Sequence, residues 1–193
     1  MKNNKKRLII FASGAGSNAE KIIEHFKENG KAKVVLIVCN NPAAGVISIA
    51  ERENIPVLLI QRETFKETGY LPDLKKYDAD LIILAGFLWK IPPILIERFP
   101  NKIVNIHPAL LPAYGGKGMY GNAVHEAVIA AHEKESGITI HFVDEKYDHG
   151  KTILQARCAI KPNDTPETLA QKIHLLEHEN YPKTIEKLLT GED

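Results

Sequence analysis

Leu8-Ile9-Ile10-Phe11 runs straight into Ser13-Gly14-Ala15-Gly16-Ser17-Asn18, and this stretch decides the fold. Four consecutive apolar residues before a glycine-rich turn are typical of a strand that is buried on both faces. A helix is predicted to follow the turn and to end at Gly30, with one apolar face made of Ala19, Ile22, Ile23 and Phe26. The pattern therefore predicts a strand, a tight turn and a helix.

The same alternation continues along the chain. Further strands are predicted at Val34–Cys39, Val57–Ile60, Leu81–Ala85, Gly137–Val143 and Thr152–Ile160. Helices are predicted at Gly45–Asn54, Pro92–Phe99 and Asn122–Glu135, with a broken helix over Thr64–Tyr77. Alternating strands and helices predict an α/β fold, a single doubly wound and mostly parallel sheet with helices on both faces. We expect one domain over residues 1–193, with a basic tail at 1–7 and a C-terminal helical segment at 165–193.

Composition supports a globular α/β domain and excludes several classes of partner. The chain has 193 residues, of which 44% are hydrophobic, enough for a sizeable core. A net charge of +1 gives no reason to expect nucleic acid, and no apolar run is long enough for a signal segment or membrane span. Cys39 and Cys158 lie in apolar runs, which predicts free thiols and a cytoplasmic location.

The Ser13–Asn18 turn is compatible with two functions. A strand, a glycine-rich turn and a helix aim backbone N–H groups and the positive end of a helix dipole at a phosphate. The dinucleotide fingerprint is incomplete, because Asn18 stands close to where its third glycine would fall. A plain connection with Ser17 or Asn18 as the helix N-cap explains the same residues. The residues alone leave both interpretations open.

Asn105-Ile106-His107-Pro108 is the candidate for chemistry. Residues two apart on a strand share a face, so the amide of Asn105 and the imidazole of His107 point the same way. Pro108 ends the strand, and open α/β sheets bind ligands outside the carboxyl ends of their strands. An amide donor beside an imidazole suits acyl-type chemistry at a carbonyl group. A turn-capping Asn beside a packed His is the alternative.

The run Asn105–Pro112, with Leu84–Phe87 upstream and Asp148–Gly150 and Ile153–Gln155 downstream, resembles the folate-dependent formyltransferase family. The resemblance covers nearly the whole chain, from Leu8 to the region of Pro182. It implies a Rossmann-like formyltransferase fold and transfer of a formyl group to the amine of glycinamide ribonucleotide, in purine biosynthesis. It also implies 10-formyltetrahydrofolate as cosubstrate and no metal.

The resemblance also implies the site residues. The catalytic positions are Asn105, His107 and Asp148, where the amine attacks the formyl carbon, Asn105 and protonated His107 stabilise the oxyanion, and Asp148 holds the imidazolium. The ribotide and its phosphate are expected at Gly16, Ser17, Asn18, His174 and Glu177. The folate is expected at Leu88, Trp89, Lys90, Ile91, Asn105, Asp144, Glu145, Lys146 and Tyr147, with His141 in a supporting role.

The C-terminal helix and three histidines complete the list of expectations. The helix that begins at Thr165-Pro166 is expected to end near Asn180, where Tyr181-Pro182 breaks it. By spacing alone, His174, Glu177 and His178 also suit a metal site, and His125 suits either a structural or a ribotide-facing role.

Alternative functions keep the same fold. They are a formyltetrahydrofolate hydrolase, a formyltransferase with another acceptor such as methionyl-tRNA, and a non-catalytic phosphate-ligand module. The length of the chain favours the ribotide acceptor over the first two. The expected partners are the small-molecule substrates, a reduced folate and glycinamide ribonucleotide, with no nucleic acid and no membrane, in a monomer or a homodimer.

Overall fold

The computed structural model describes residues 5–191 and contains one seven-stranded sheet. Its strands are β1 (Lys6–Ala12), β2 (Ala32–Cys39), β3 (Val57–Leu59), β4 (Leu81–Leu84), β5 (Ile103–His107), β6 (Glu135–Phe142) and β7 (Thr152–Ala159). The order is β3-β2-β1-β4-β5-β6-β7, parallel from β3 to β5 and antiparallel where β6 and β7 are added. The predicted doubly wound, mostly parallel sheet is confirmed.

Helices cover both faces of the sheet. They are α1 (Ser17–Asn29), α2 (Gly45–Arg52), α3 (Arg62–Lys66), α4 (Leu71–Lys75), α5 (Pro93–Arg98), α6 (Asn122–Ala130) and α7 (Pro166–Thr190). Apolar residues of α1, α2, α6 and α7 form the core on one face, and those of α3, α4 and α5 form the core on the other. In the part of the chain that the structure describes, no helix is both long and apolar enough to cross a membrane.

The first strand–turn–helix unit forms as predicted, with a different cap. The predicted apolar face of α1 is buried, and Gly30 ends the helix in the left-handed conformation. The N-cap, however, is Gly16 with φ +86°, and no side chain caps the helix, so the expectation of Ser17 or Asn18 as N-cap is wrong. A Cβ on Gly16 would lie 2.8 Å from Cβ of Val46, so α2 packs directly against this turn. Only glycine satisfies both constraints.

The predicted basic tail and the predicted end of α6 both differ from the structure. The basic tail at 1–7 is shorter than expected, because β1 begins at Lys6 and the backbone N–H of Arg7 donates to Asp80 at 2.8 Å. Residues 1–4 of that tail, like residues 192–193, lie outside the described residues. Helix α6 ends at Ala130 instead of Glu135, because His132 adopts a left-handed backbone and Glu135 already belongs to β6.

Helix α7 does not break at Tyr181-Pro182 as predicted. It continues through Pro182 to Thr190, and both Tyr181 and Pro182 are buried. The hydroxyl of Tyr181 donates to the carbonyl groups of Leu84 and Val104, at 3.0 and 3.1 Å. Burial holds the pKa of Tyr181 well above its usual value, so the phenol stays protonated. Tertiary packing therefore overrides the local cost of a proline within a helix.

We predict that Tyr181→Phe lowers the free energy of unfolding by about 1 kcal/mol, because the buried hydroxyl donor to β4 and β5 is lost. Urea denaturation measures the change, and the slope of the transition should stay constant. Tyr120→Phe is the control, since Tyr120 is 56% exposed. Equal midpoints for Tyr181→Phe and the wild-type protein would contradict the anchoring role.

Candidate active site

The candidate residues gather at the carboxyl ends of β1, β4 and β5. The turn after β1 meets the loop after β4, where the backbone N–H of Ser13 donates to the Gly86 carbonyl at 3.1 Å. The backbone N–H of Leu88 donates in turn to the Ser13 hydroxyl at 3.0 Å. Strand order reverses between β1 and β4, and such a switch point opens a crevice for ligands.

His141 fixes the orientation of Asn105 across the antiparallel pair of β5 and β6. The two residues are direct partners in the ladder. Nδ1 of His141 lies 2.8 Å from the Phe142 carbonyl, which only accepts, so Nδ1 carries the proton. Nε2 then accepts from Nδ2 of Asn105 at 3.1 Å. Burial lowers the pKa of His141, which keeps the ring neutral and able to accept.

Asp148 joins the catalytic candidates from a distant loop between β6 and β7. Its Oδ1 lies 3.5 Å from Nδ2 of Asn105, and its Oδ2 lies 3.6 Å from Nδ1 of His107. Its backbone is left-handed, with φ +51°, which Asp tolerates better than most residues. The structure therefore brings Asn105, His107 and Asp148 together.

His107 is almost fully buried, with 3% of its surface exposed. Its Nε2 lies 2.8 Å from the carbonyl oxygen of Tyr114, so this nitrogen carries a proton and donates. Nδ1 is the ring nitrogen that faces Asp148. One side of the imidazole is thus held by the backbone, and the other faces the carboxylate.

The predicted ribotide residues meet where α1 begins. Nδ2 of Asn18 donates to Oε2 of Glu177 at 2.9 Å, which joins α1 to α7. Glu177 is 7% exposed, and burial raises the pKa of its carboxyl group, while the Asn18 bond opposes this rise. Oδ1 of Asn18 is buried and has no hydrogen-bond partner among the described residues. His174 is exposed on α7, and its ring stacks on that of His178 at 6.2 Å.

His125, whose role the sequence left open, lies near His174 and His107. It is 3% exposed, and within residues 5–191 its buried Nδ1 has no hydrogen-bond partner. Burial lowers the pKa of His125, and the nearby rings of His174 and His107 lower it further. A neutral imidazole with an unused nitrogen therefore lies near both His174 and His107.

The two predicted folate segments lie side by side. Nζ of Lys90 lies 5.9 Å from the ring centre of Tyr147, and Leu88 is 52% exposed. Trp89 packs against the ring of Phe65 at 5.6 Å, and the side chain of Ile91 is buried in the core. Of the other loop residues, Asp144 pairs with His149 at 2.7 Å, and Glu145 and Lys146 are exposed.

Sequence reasoning missed three contacts within the site. The Ser13 hydroxyl, the Tyr114 carbonyl and the Gly116 N–H each hold a loop or a catalytic candidate. For the two backbone groups, the glycines at 115–121 were the available signal, but backbone groups carry no residue-specific pattern. No group of three or more His, Cys, Asp or Glu side chains among the described residues is arranged to hold a metal ion.

Comparisons with known proteins agree on one family. A family model described as Formyl transferase matches residues 6–185. Phosphoribosylglycinamide formyltransferase of Bacillus subtilis (strain 168) is 40% identical over 95% of this chain and 95% of its own length. The chloroplastic enzyme of that name from Arabidopsis thaliana is 42% identical over 94% of this chain.

The solved structures give the same result. The crystal structure of phosphoribosylglycinamide formyltransferase from Bacillus halodurans has a TM-score of 0.88 and 37% identity, and the match covers 97% of each chain. The chain spans 64% of the Arabidopsis thaliana protein and 61% of the chloroplastic relative from Vigna unguiculata.

We predict that Glu177→Gln becomes more stable relative to the wild-type protein as pH rises above 4.5, the ordinary pKa of a Glu carboxyl group. A carboxyl group with a raised pKa in the folded state holds its proton more tightly there, so ionisation at higher pH lowers stability. A neutral amide escapes this loss and can keep the bond from Asn18. Below pH 4.5 the difference in free energy of unfolding between the two proteins should be constant.

Urea denaturation across the pH range measures this difference. Glu179→Gln is the matched control, because Glu179 is exposed two positions further along the same helix. If the free energies of unfolding of Glu177→Gln and the wild-type protein changed equally with pH, the raised pKa of Glu177 would be refuted.

Proposed function

This chain belongs to the formyl transferase family, and on that premise we propose that it transfers a formyl group from 10-formyltetrahydrofolate to the amine of glycinamide ribonucleotide. The observation that carries the proposal is the convergence of Asn105, His107 and Asp148 at the carboxyl end of β5. We infer that residues 1–193 act as one formyltransferase domain. The names of the relatives in Bacillus subtilis and Arabidopsis thaliana support the same acceptor.

The start of α1 suits the phosphate of the acceptor. The first backbone N–H groups of this helix have no side-chain cap, and the helix dipole favours an anion there. Ser17 and Asn18 would donate to the phosphate, and Gly16 shapes the turn that presents them. Glu177 contacts Asn18 of this turn, and His125 lies near both His174 and His107. Hydroxyl groups of a ribose would be suitable partners for these side chains.

The chemistry follows from the hydrogen bonds around Asn105. The amine attacks the formyl carbon, and negative charge develops on the formyl oxygen. One N–H of the Asn105 amide is held by His141, whereas the other makes only the long 3.5 Å contact with Asp148. We propose that the oxyanion takes this second N–H, because its contact in the protein is the weaker one.

Proton movement completes the transfer. The attacking amine loses a proton, and N10 of the folate gains one when the carbon–nitrogen bond breaks. His107 lies beside Asp148, which stabilises a positive charge on the ring while the oxyanion exists. The loops 88–91 and 144–147 would enclose the pterin next to these groups. No metal takes part in the proposed mechanism.

Two further features of the proposal follow from the sequence. We infer a cytoplasmic enzyme, which the free thiols of Cys39 and Cys158 support, since free thiols persist in a reducing compartment. We also infer a monomer or a homodimer that needs neither nucleic acid nor membrane. Analytical ultracentrifugation distinguishes the two oligomeric states.

The direct test follows tetrahydrofolate production by absorbance, with 10-formyltetrahydrofolate and a series of acceptors. We expect rapid turnover with glycinamide ribonucleotide, a much higher KM for the dephosphorylated riboside, and negligible turnover in water alone. Fast turnover without any amine would identify a hydrolase instead. Equal KM values for the ribotide and the riboside would contradict the phosphate site at α1.

We predict that Asn105→Asp lowers kcat about a hundred- to a thousandfold, the usual effect of removing one oxyanion donor. The substitution keeps the shape of the side chain but adds an anion where negative charge develops. Asn163→Asp is the control, since Asn163 is exposed outside the site. Thermal melting checks that the variant is folded, and a loss below about tenfold in a folded variant would rule out this role for Asn105.

A further inference from the structure

The backbone of Tyr114 adopts an unusual conformation next to the catalytic candidates. Its φ is +56°, in the left-handed region that bulky residues rarely occupy. In this conformation its carbonyl oxygen accepts the hydrogen bond from Nε2 of His107 at 2.8 Å. Such a conformation persists only when surrounding contacts hold it, and residues with such conformations cluster at functional sites.

Two contacts hold Tyr114 in place. Its hydroxyl donates to Oε1 of Glu133 at 2.7 Å, and its ring packs against the core on the α7 face of the sheet. Glu133 lies beyond the end of α6 and contacts none of the catalytic candidates through a described hydrogen bond or ion pair. An exposed carboxylate is therefore connected to His107 through a single tyrosine.

The next residues hold Asp148. The backbone N–H of Gly116 donates to Oδ2 of Asp148 at 2.9 Å. A Cβ on Gly115 would lie 3.3 Å from Cβ of Asp148 and 2.5 Å from Cδ2 of Leu111, so the backbone passes tightly over the carboxylate. We name residues 114–116 the clamp segment. It contacts both members of the His107–Asp148 pair.

The bond to Tyr114 decides which nitrogen of the neutral His107 ring carries the proton. A carbonyl oxygen only accepts, so the bond to Tyr114 requires a proton on Nε2. Nδ1 is then the unprotonated nitrogen of the neutral ring, and it faces Asp148 at 3.6 Å. Without this bond a neutral imidazole exchanges its proton between the two nitrogens, and the wrong tautomer costs activity in other histidine-dependent enzymes.

We propose that Tyr114 is a positioning residue for the transfer reaction and that Glu133 is its remote anchor. Tyr114 fixes the tautomer and orientation of His107, and the adjoining Gly116 N–H fixes the Asp148 carboxylate. The contribution to turnover rests on the proposed function. The effect on the histidine ring does not, and it is measurable in the free protein.

The first test reads the tautomer by long-range 1H–15N correlation spectra of the folded protein, at a pH where the His107 ring is neutral. The His107 signals are assigned by their loss in His107→Gln. We expect the Nε2–H tautomer in the wild-type protein and a shift towards a mixture in Tyr114→Phe and Glu133→Ala. Glu135→Ala is the matched control, because Glu135 is exposed two positions away and pairs with Arg157.

The second test is a double-mutant cycle on steady-state kinetics. We expect Tyr114→Phe and Glu133→Ala each to lower kcat about three- to tenfold, the equivalent of one hydrogen bond, with KM for both substrates nearly unchanged. If Glu133 acts only through Tyr114, the double variant loses no more than either single variant. Additive losses would overturn the anchoring role.

Every other outcome also decides the proposal. An unchanged His107 signal in Tyr114→Phe would overturn it, as would a mixed tautomer with full kcat. A loss of kcat in Glu135→Ala equal to that in Glu133→Ala would mean a general charge effect and would also overturn it. If the wild-type protein transferred no formyl group, the proposed function would fail, whereas the tautomer signal would still show whether Tyr114 holds the ring.

Discussion

The candidate site depends on the Asp148 carboxylate, which is the point where three parts of the chain meet. One oxygen lies near Asn105 on β5, and the other accepts from the Gly116 backbone and faces His107. The carboxylate is largely shielded from water, with 12% of the side chain exposed, so its charge acts strongly on these neighbours. Without it, the strand end, the glycine-rich loop and the β6–β7 loop would have no shared polar contact at this position.

Most polar groups around this carboxylate already have a hydrogen-bond partner within the protein. His141 uses Nδ1 on a backbone carbonyl and Nε2 on Asn105, and His107 uses Nε2 on Tyr114. Preorganised donors lower a barrier because they need no reorganisation when charge develops. Two long contacts of Asp148 are the exceptions, one with Nδ2 of Asn105 at 3.5 Å and one with Nδ1 of His107 at 3.6 Å. A reacting oxygen can replace the contact with Asn105 at small cost, which agrees with the proposed transfer at this position.

Helix α7 links the predicted ribotide residues to the sheet. Glu177 contacts Asn18 at the start of α1, and one turn later Tyr181 donates to backbone carbonyls of β4 and β5. The buried tyrosine fixes the helix against β4 and against β5, the strand that carries Asn105 and His107. Glu177 is therefore held at a set distance from β5, and the two ends of the site belong to one packed unit.

The local sequence pattern determined several strands and helices and the shared face of the two candidate residues on β5. The apolar run Leu8–Phe11 and the helical face around Ile22 and Ile23 predicted their elements, and the spacing of Asn105 and His107 predicted a shared face. These features depend on neighbouring residues, so sequence alone reveals them. The helix through Pro182, the glycine N-cap at Gly16 and the clamp on His107 depend on contacts between residues far apart in the chain. Packing and backbone hydrogen bonds decide such features, and neither leaves a periodic trace in the sequence.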